Sequence, residues 1–197
     1  MNKVTQLARA AKGVVAARRF VLLGTLFLAA CAGGQGGLGK PAQTETARVE
    51  AYLRTAQLKN VPFVQTWPNG ATGGGGLTYR PGYLHLVYTA PHGMDLEASG
   101  SHAVFKDAQA GSETHMGLSH NPLGLLLGNP IQLSGAVQVT DVQKTPGVLQ
   151  ISMARRDNPS QGLVTLLFQD SGRALTLHDI TVVDERRHKV LIQLQAQ

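Results

Sequence analysis

The chain has 197 residues, of which 43% are hydrophobic and 5% aromatic, enough for one domain with a sizeable core. Its formal charge of +6 originates before Phe20, where five of the 18 lysines and arginines lie without any acidic residue. The other 13 basic residues face 12 acidic ones, so the rest of the chain lacks the basic surface that a nucleic-acid-binding protein needs.

The N-terminal segment, residues 1–31, has the three parts of a secretory signal. The basic pair Arg18-Arg19 precedes an apolar run over residues 20–28, and small residues follow. This run is shorter than the roughly 20 residues that span a bilayer, so we predict a cleaved signal. Leu28-Ala29-Ala30-Cys31 is similar to a bacterial lipobox, which predicts lipid attachment at Cys31, the only cysteine. The alternative is an ordinary export signal that is cut after Ala32.

A flexible linker and a helix are predicted next. Residues 32–43 are rich in glycine and too poor in apolar side chains to pack, which is typical of a linker. We expect the folded domain at residues 44–197. Its first element, residues 44–59, has the pattern of an amphipathic helix in which Val49, Leu53 and Ala56 share one face.

Short strands separated by turn residues follow from Val61 onward. Turns with proline and glycine end the first three strands near residues 68–70, 81–82 and 91–93, and similar turns recur further along. This spacing of about 8–12 residues predicts an antiparallel meander that is curved or barrel-like. Residues 73–76 are four glycines placed before a strand, without the lysine and the Ser/Thr of a phosphate-binding loop.

One apolar segment, residues 120–131, interrupts the strand pattern. Its four leucines lie between Pro122 and Pro130, in a length that suits one or two helical turns: Leu123, Leu125, Leu126 and Leu127. Such a segment either caps the core or forms a mobile lid over a cavity. Gly124 and Gly128 weaken the helix and favour motion.

Several stretches in a fixed order resemble the LolA family, the periplasmic carriers of outer-membrane lipoproteins. They are FVQTWPNG, LTYRPGYLHLVYTAP, NPLGLLLGNPIQLSG and the strands that end at residue 194. The likeness extends over residues 48–194. It implies a mainly β fold with α-helix: an incomplete, half-open antiparallel β-barrel covered by short helices, with an apolar cavity for the acyl chains of lipoproteins.

The resemblance also implies roles for particular residues. In the family, the arginine before Pro-Gly donates hydrogen bonds to lid carbonyls and holds the empty carrier closed; this role falls on Arg80, with the lid at residues 122–127. The lid leucines would contact acyl chains. The remaining candidates for the cavity lining are strand residues: Phe63, Leu84, Leu86, Leu149, Ile151 and Met153. The implied partners are acylated lipoproteins, the inner-membrane machinery that releases them, and the outer membrane.

Two alternatives to a soluble shuttle stay open. LolB, the outer-membrane receptor with a similar fold, is itself a lipoprotein, so an acylated Cys31 favours an anchored acceptor. Ala32 differs from the aspartate that commonly retains lipoproteins at the inner membrane, so we expect a periplasmic domain anchored to the outer membrane. The other alternative is an anchored structural lipoprotein that has a packed core and no cavity.

We expect no catalytic residues, metal or other cofactor, and a monomer. The five histidines between residues 85 and 120 could suggest a metal site, but they lack any familiar ligand spacing: His85, His92, His102, His115 and His120. No Gly-x-Ser-x-Gly elbow of a hydrolase is present.

Overall fold

The computed structural model describes residues 38–195, so the predicted signal with Cys31 and most of the predicted linker lie outside the described residues. Helix α1 spans Lys40–Thr55 and therefore begins inside the segment that was predicted as linker. Pro41 explains this earlier start, because its fixed φ suits a first helical turn and its missing N–H is not needed there. Val49 and Leu53 are buried as predicted, and Ala56, also buried, follows the end of the helix.

Eleven strands make up most of the described chain. Their bounds are β1 Leu58–Thr66, β2 Thr72–Arg80, β3 Tyr83–Ala90, β4 Met94–Ser99, β5 His102–Asp107, β6 Ser112–Gly117, β7 Val137–Thr145, β8 Val148–Arg155, β9 Gly162–Asp170, β10 Leu175–Asp184 and β11 Lys189–Leu194. The strands from β4 to β6 were not predicted, although Met94, Leu96 and Ala98 alternate with polar residues.

The strands form one antiparallel sheet in the order β6-β5-β4-β3-β2-β1-β11-β10-β9-β8-β7. Pairing of β1 with β11 joins the two meanders, and β6 and β7 remain at the two edges. The sheet is therefore not closed, which confirms the predicted incomplete barrel. Helix α1 and a 3-10 helix (Pro122–Leu126), called the lid helix below, cover its inner face.

The four consecutive glycines lie inside β2, so the prediction that they precede a strand was wrong. Gly73 and Gly75 pair with Gln65 and Phe63, which places them on the inner face. A Cβ added to Gly73 would clash with the ring of Trp67. The glycine thus leaves room for the indole inside the barrel.

An ion pair joins the first half of α1 to the end of strand β9. The Arg48 guanidinium donates to both carboxylate oxygens of Asp170, at 3.0 and 2.8 Å. These bonds, together with the backbone N–H of Gly172, hold the pKa of the Asp170 carboxyl well below its usual range. Within residues 38–195, the helices are too short or too polar to cross a membrane.

Candidate functional site

The lid helix is held in a tight, defined conformation. The Asn121 side chain caps it by accepting a hydrogen bond from the Leu123 N–H at 2.9 Å, and Pro122 occupies the first turn. A Cβ added to Gly124 would lie 2.6 Å from the carbonyl oxygen of Leu118. Close packing against Leu118 therefore requires a glycine at residue 124. This is a different reason for the glycine from the helix weakening that the sequence suggested.

The lid leucines divide between the core and a cavity. Leu125, Leu126 and Leu127 are buried in the hydrophobic core, and the lid helix contacts β8, β9 and β10. Leu123 is half-buried and lines a cavity on the other side. Three of the leucines thus cap the core and Leu123 borders a cavity, while the motion of this segment stays a prediction.

Two side chains donate hydrogen bonds to the backbone of the lid region. The buried Tyr79 hydroxyl donates to the carbonyl oxygen of Leu126 at 3.1 Å. Burial also raises the pKa of Tyr79, so the hydroxyl keeps its proton. From α1, the Arg54 Nε donates to the carbonyl oxygen of Ile131 at 2.8 Å.

Glu50 completes this second attachment. Its carboxylate accepts from the Leu133 N–H at 2.7 Å and pairs with Arg54 at 2.7 Å. Helix α1 therefore binds the segment after the lid helix through both a donor and an acceptor. These two side chain–backbone hydrogen bonds hold the segment at Ile131 and Leu133 against α1.

Arg80 does not occupy the latch position that the resemblance implied. Its side chain is exposed, and its guanidinium carbon lies 4.5 Å from the centroid of the Tyr83 ring. Among residues 38–195, no hydrogen bond joins Arg80 to the lid. The physical reason is strand alternation: adjacent residues of β2 point to opposite faces, and Tyr79 is the one that points inward.

The lid cavity, of about 260 Å³, lies between the lid helix and the inner face of the sheet. Both halves of the sheet contribute apolar side chains to its lining: Leu86, Leu96 and Phe105 from the first half, and Val182, Val190 and Ile192 from the second. Leu118 and Leu123 form the side toward the lid. No Asp, Glu, Lys, Arg or His of the described chain lines this cavity, so its surface is uncharged.

An aromatic cluster stands at one end of the lid cavity. The Trp67 ring stacks on Tyr88 with centroids 5.9 Å apart, and Phe63 meets Tyr88 edge-on at 5.2 Å. The Tyr88 hydroxyl donates to Gln65 Oε1 at 2.7 Å. Gln65, on the inner face of β1, is thereby a buried polar side chain next to an apolar space.

Of the six predicted cavity-lining strand residues, Leu86 lines the lid cavity. The other five are buried in the core and line neither this cavity nor the second one described below: Phe63, Leu84, Leu149, Ile151 and Met153. The last three belong to β8, which the lid helix contacts. Displacing the lid leucines would therefore uncover this part of the sheet.

A second cavity, of about 340 Å³, lies near the C-terminal end of α1. Its apolar lining consists of Tyr52, Leu58, Val61, Leu177 and Leu194, and Gln169, Thr176 and His178 lie at its rim. Both cavities lie along the inner face of β1. Val61 lines the second cavity, Gln65 lines the lid cavity, and Phe63 stands between them.

The histidines are dispersed. Of the five histidines between residues 85 and 120, three each contact a different carboxylate: His85 with Asp95 at 2.8 Å, His92 with Asp107 at 3.1 Å and His115 with Glu113 at 2.9 Å. His120 contacts Gln161. Within the described part of the chain, no three metal-ligating side chains come together.

The sequence analysis missed Tyr79, Arg54 and Gln65 as functional candidates. Alternation along β2 and β1 was the available signal for Tyr79 and Gln65, because both share a face with apolar neighbours such as Leu77 and Phe63. Arg54 offered no such signal, since its contact with Ile131 joins distant parts of the chain.

The sequence matches no family model and no curated protein. Solved structures that are similar to this chain include the following two proteins. The LolA superfamily protein NE2245 from Nitrosomonas europaea matches with a TM-score of 0.41 and 11% identity, over 79% of this chain and 91% of that one. The lipoprotein LppX from Mycobacterium tuberculosis matches with a TM-score of 0.38 and 10% identity, over 80% and 95%.

Proposed function

We propose that this protein binds the acyl chains of lipoproteins beneath its lid and transfers them toward the outer membrane, with its domain in the periplasm. The observation that carries this proposal is the lid cavity, which is apolar, uncharged and bounded by a short leucine-rich helix. Its volume of about 260 Å³ is small beside the roughly 300–1,000 Å³ of ordinary ligand pockets. Uptake of a long chain therefore requires the lid to move.

Movement of the lid would provide the apolar surface that an acyl chain needs. Each CH₂ group contributes about 0.8 kcal/mol to the binding of such a chain in an apolar environment. In the closed protein, Leu125 and Leu126 occupy the core beside β8 and β9, where Ile151 lies fully buried. An acyl chain that replaces these leucines exchanges one apolar contact for another, so transfer needs neither nucleotide nor covalent chemistry.

Leu123→Asp tests the cavity directly. We expect this change to weaken uptake of a tripalmitoylated cysteinyl peptide by more than about tenfold, because it places an unpaired carboxylate against an apolar ligand. The measurement is co-elution of the fluorescently labelled peptide with the purified protein in gel filtration. The same peptide without its acyl chains serves as the ligand control.

Val64→Asp is the matched control variant. Val64 is 39% exposed and lies on the outer face of β1, next to Gln65. It should leave uptake unchanged. Equal uptake by the wild type and Leu123→Asp, or no uptake by the wild type, would contradict binding in the lid cavity and favour the structural lipoprotein.

The place of the protein in the transfer depends on Cys31, which lies outside the described residues. We propose that Cys31 is acylated and that the domain acts as an acceptor near the outer membrane, in the manner of LolB. In its native host, the protein should then be found in the outer-membrane fraction, and the mass of its first residue should be that of a lipid-modified cysteine. Cys31→Ser should move it out of the membrane fraction.

Recovery of the protein in the soluble periplasmic fraction, beginning after Ala32 and without lipid, would contradict an anchored acceptor. Cys31 would then belong to a discarded signal. The protein would act as a shuttle that exchanges cargo between the inner-membrane release machinery and the outer membrane.

A further inference from the structure

Gln65 brings to the lid cavity an amide donor that makes no hydrogen bond within residues 38–195. Gln65 is 5% exposed, and its Oε1 accepts from the Tyr88 hydroxyl at 2.7 Å. Among residues 38–195, its Nε2 donates no hydrogen bond, and the side chain lines the cavity. The Tyr88 bond occupies the oxygen side of the amide, which leaves the nitrogen side of this cavity-lining side chain for a ligand.

Two further neutral donors line the same cavity. Asn121 uses its Oδ1 to cap the lid helix, which leaves its amide nitrogen for another acceptor. The indole N–H of Trp67 also has no acceptor in the described part of the chain. The nitrogen groups of the lining are thus donors without a charge, and no cationic or anionic side chain stands beside them.

This arrangement selects among ligands that share an apolar chain. A hydrocarbon would leave the Gln65 amide buried without an acceptor, which costs free energy. A free fatty acid would bring a carboxylate into a site that has no cation. The carbonyl oxygen of an ester or amide accepts hydrogen bonds, carries no charge and matches the donors.

We propose that Gln65 binds the carbonyl oxygen of an ester- or amide-linked acyl chain, so that the lid cavity prefers such chains to free fatty acids and hydrocarbons. This proposal rests on acyl binding under the lid, which is the proposed function. It adds the chemical group by which the chain is recognised. The Tyr88 hydroxyl acts as a positioning group, because it fixes which side of the amide faces the ligand.

The test is competition by three ligands of equal chain length against N-phenylnaphthylamine, a neutral fluorescent probe. The ligands are methyl laurate, lauric acid and dodecane. With the wild-type protein, methyl laurate should bind between about two- and tenfold more tightly than dodecane, the range expected for one neutral hydrogen bond. Lauric acid at neutral pH should bind more weakly than methyl laurate.

The variant that removes the donor is Gln65→Leu in a Tyr88→Phe background. Tyr88→Phe alone is the reference, because the double change then leaves no hydroxyl without its acceptor. The preference for methyl laurate over dodecane should disappear in the double variant. Gln193→Leu is the matched control: the same substitution on β11, where Gln193 pairs with Val64 on the outer face, should retain the preference.

A measurement on the wild type keeps the proposal testable if the double variant does not fold. The carbonyl stretch of carbon-13-labelled methyl laurate should shift to lower frequency on binding, as expected for a hydrogen-bonded ester. Three results would each overturn the role of Gln65 while acyl binding stands. They are equal affinity of the wild type for methyl laurate and dodecane, an unshifted carbonyl band, and a preference for methyl laurate that persists in the double variant. Failure of all three ligands to displace the probe would instead overturn acyl binding itself, and this proposal with it.

Discussion

Tyr79→Phe should tighten the apparent binding of a neutral acyl probe by about five- to thirtyfold. The hydroxyl of Tyr79 is the buried donor to the Leu126 carbonyl, and removing it leaves that carbonyl without a partner, at a cost of about 1–2 kcal/mol. The cost falls on the closed form alone, so the fraction of open protein rises by the same factor. Because the apparent affinity scales with the binding-competent fraction, titration with N-phenylnaphthylamine measures the effect.

Arg80→Leu is the control that separates this latch from the one implied by the family resemblance. The Arg80 guanidinium lies over the Tyr83 ring on the outer face, so its removal should change the affinity by less than about twofold. The opposite result would contradict the assignment of the latch to Tyr79: Arg80→Leu would bind the probe more tightly than the wild type, and Tyr79→Phe would bind it with unchanged affinity.

The attachment through α1 bears on how far the lid can move. Arg54 and Glu50 hold the backbone at Ile131 and Leu133, just after the lid helix. On the other side, His120 contacts Gln161. The lid helix is thus fixed on both sides, and Tyr79 holds the carbonyl of its last residue, Leu126. Opening is expected to be a local displacement of the leucines, with the flanking contacts as hinges.

The strand bounds show what local sequence determines. β3 has the predicted bounds because Pro81-Gly82 and Pro91 interrupt the chain on either side of it. The lid helix is likewise confined by Pro122 and Pro130. Local residue chemistry also predicted the buried face of β8, where Leu149, Ile151 and Met153 alternate with more exposed residues at its start.

The latch and the cavity depend on contacts that local sequence does not contain. Arg80 and Tyr79 are neighbours, and alternation with Leu77 favours Tyr79 on the inner face, but only the pairing of β2 with β1 and β3 brings that face beneath the lid. The glycines of β2 show the same limit. The need for a glycine at residue 73 is explained only by the folded structure, in which the ring of Trp67 lies over Gly73 on the inner face.

The cavity lining follows from long-range packing as well. All six strand candidates are apolar and buried, yet the lid helix fills the space over β8 and leaves a space beside Leu86. Hydrophobic periodicity predicts that such residues face inward. It does not predict which of them will be covered by protein and which will line a free volume, since that depends on how closely the lid packs.

Phe63→Ala should lower the free energy of unfolding by about 3–5 kcal/mol and, at the same time, enlarge the ligand space. Phe63 is 2% exposed and stands on β1 between the cavities of about 260 and about 340 Å³. Because Phe63 lies between Val61 and Gln65 on β1, we expect removal of its ring to join the two spaces. A chain as long as that of methyl palmitate should then bind the variant more tightly than the wild type, and at 100 times its dissociation constant it should restore about 2.7 kcal/mol.

Phe168→Ala distinguishes this effect from a general loosening of the core. Phe168 is fully buried and meets Tyr52 edge-on at 5.2 Å, as Phe63 meets Tyr88, but it lies on β9 and not between the two cavities on β1. Both variants should lose similar stability in urea unfolding, and only Phe63→Ala should regain it with methyl palmitate. Equal recovery in the two would mean that the chain binds any weakened core. Recovery in Phe63→Ala alone would mean that a single phenyl ring limits the length of chain that the closed protein accepts.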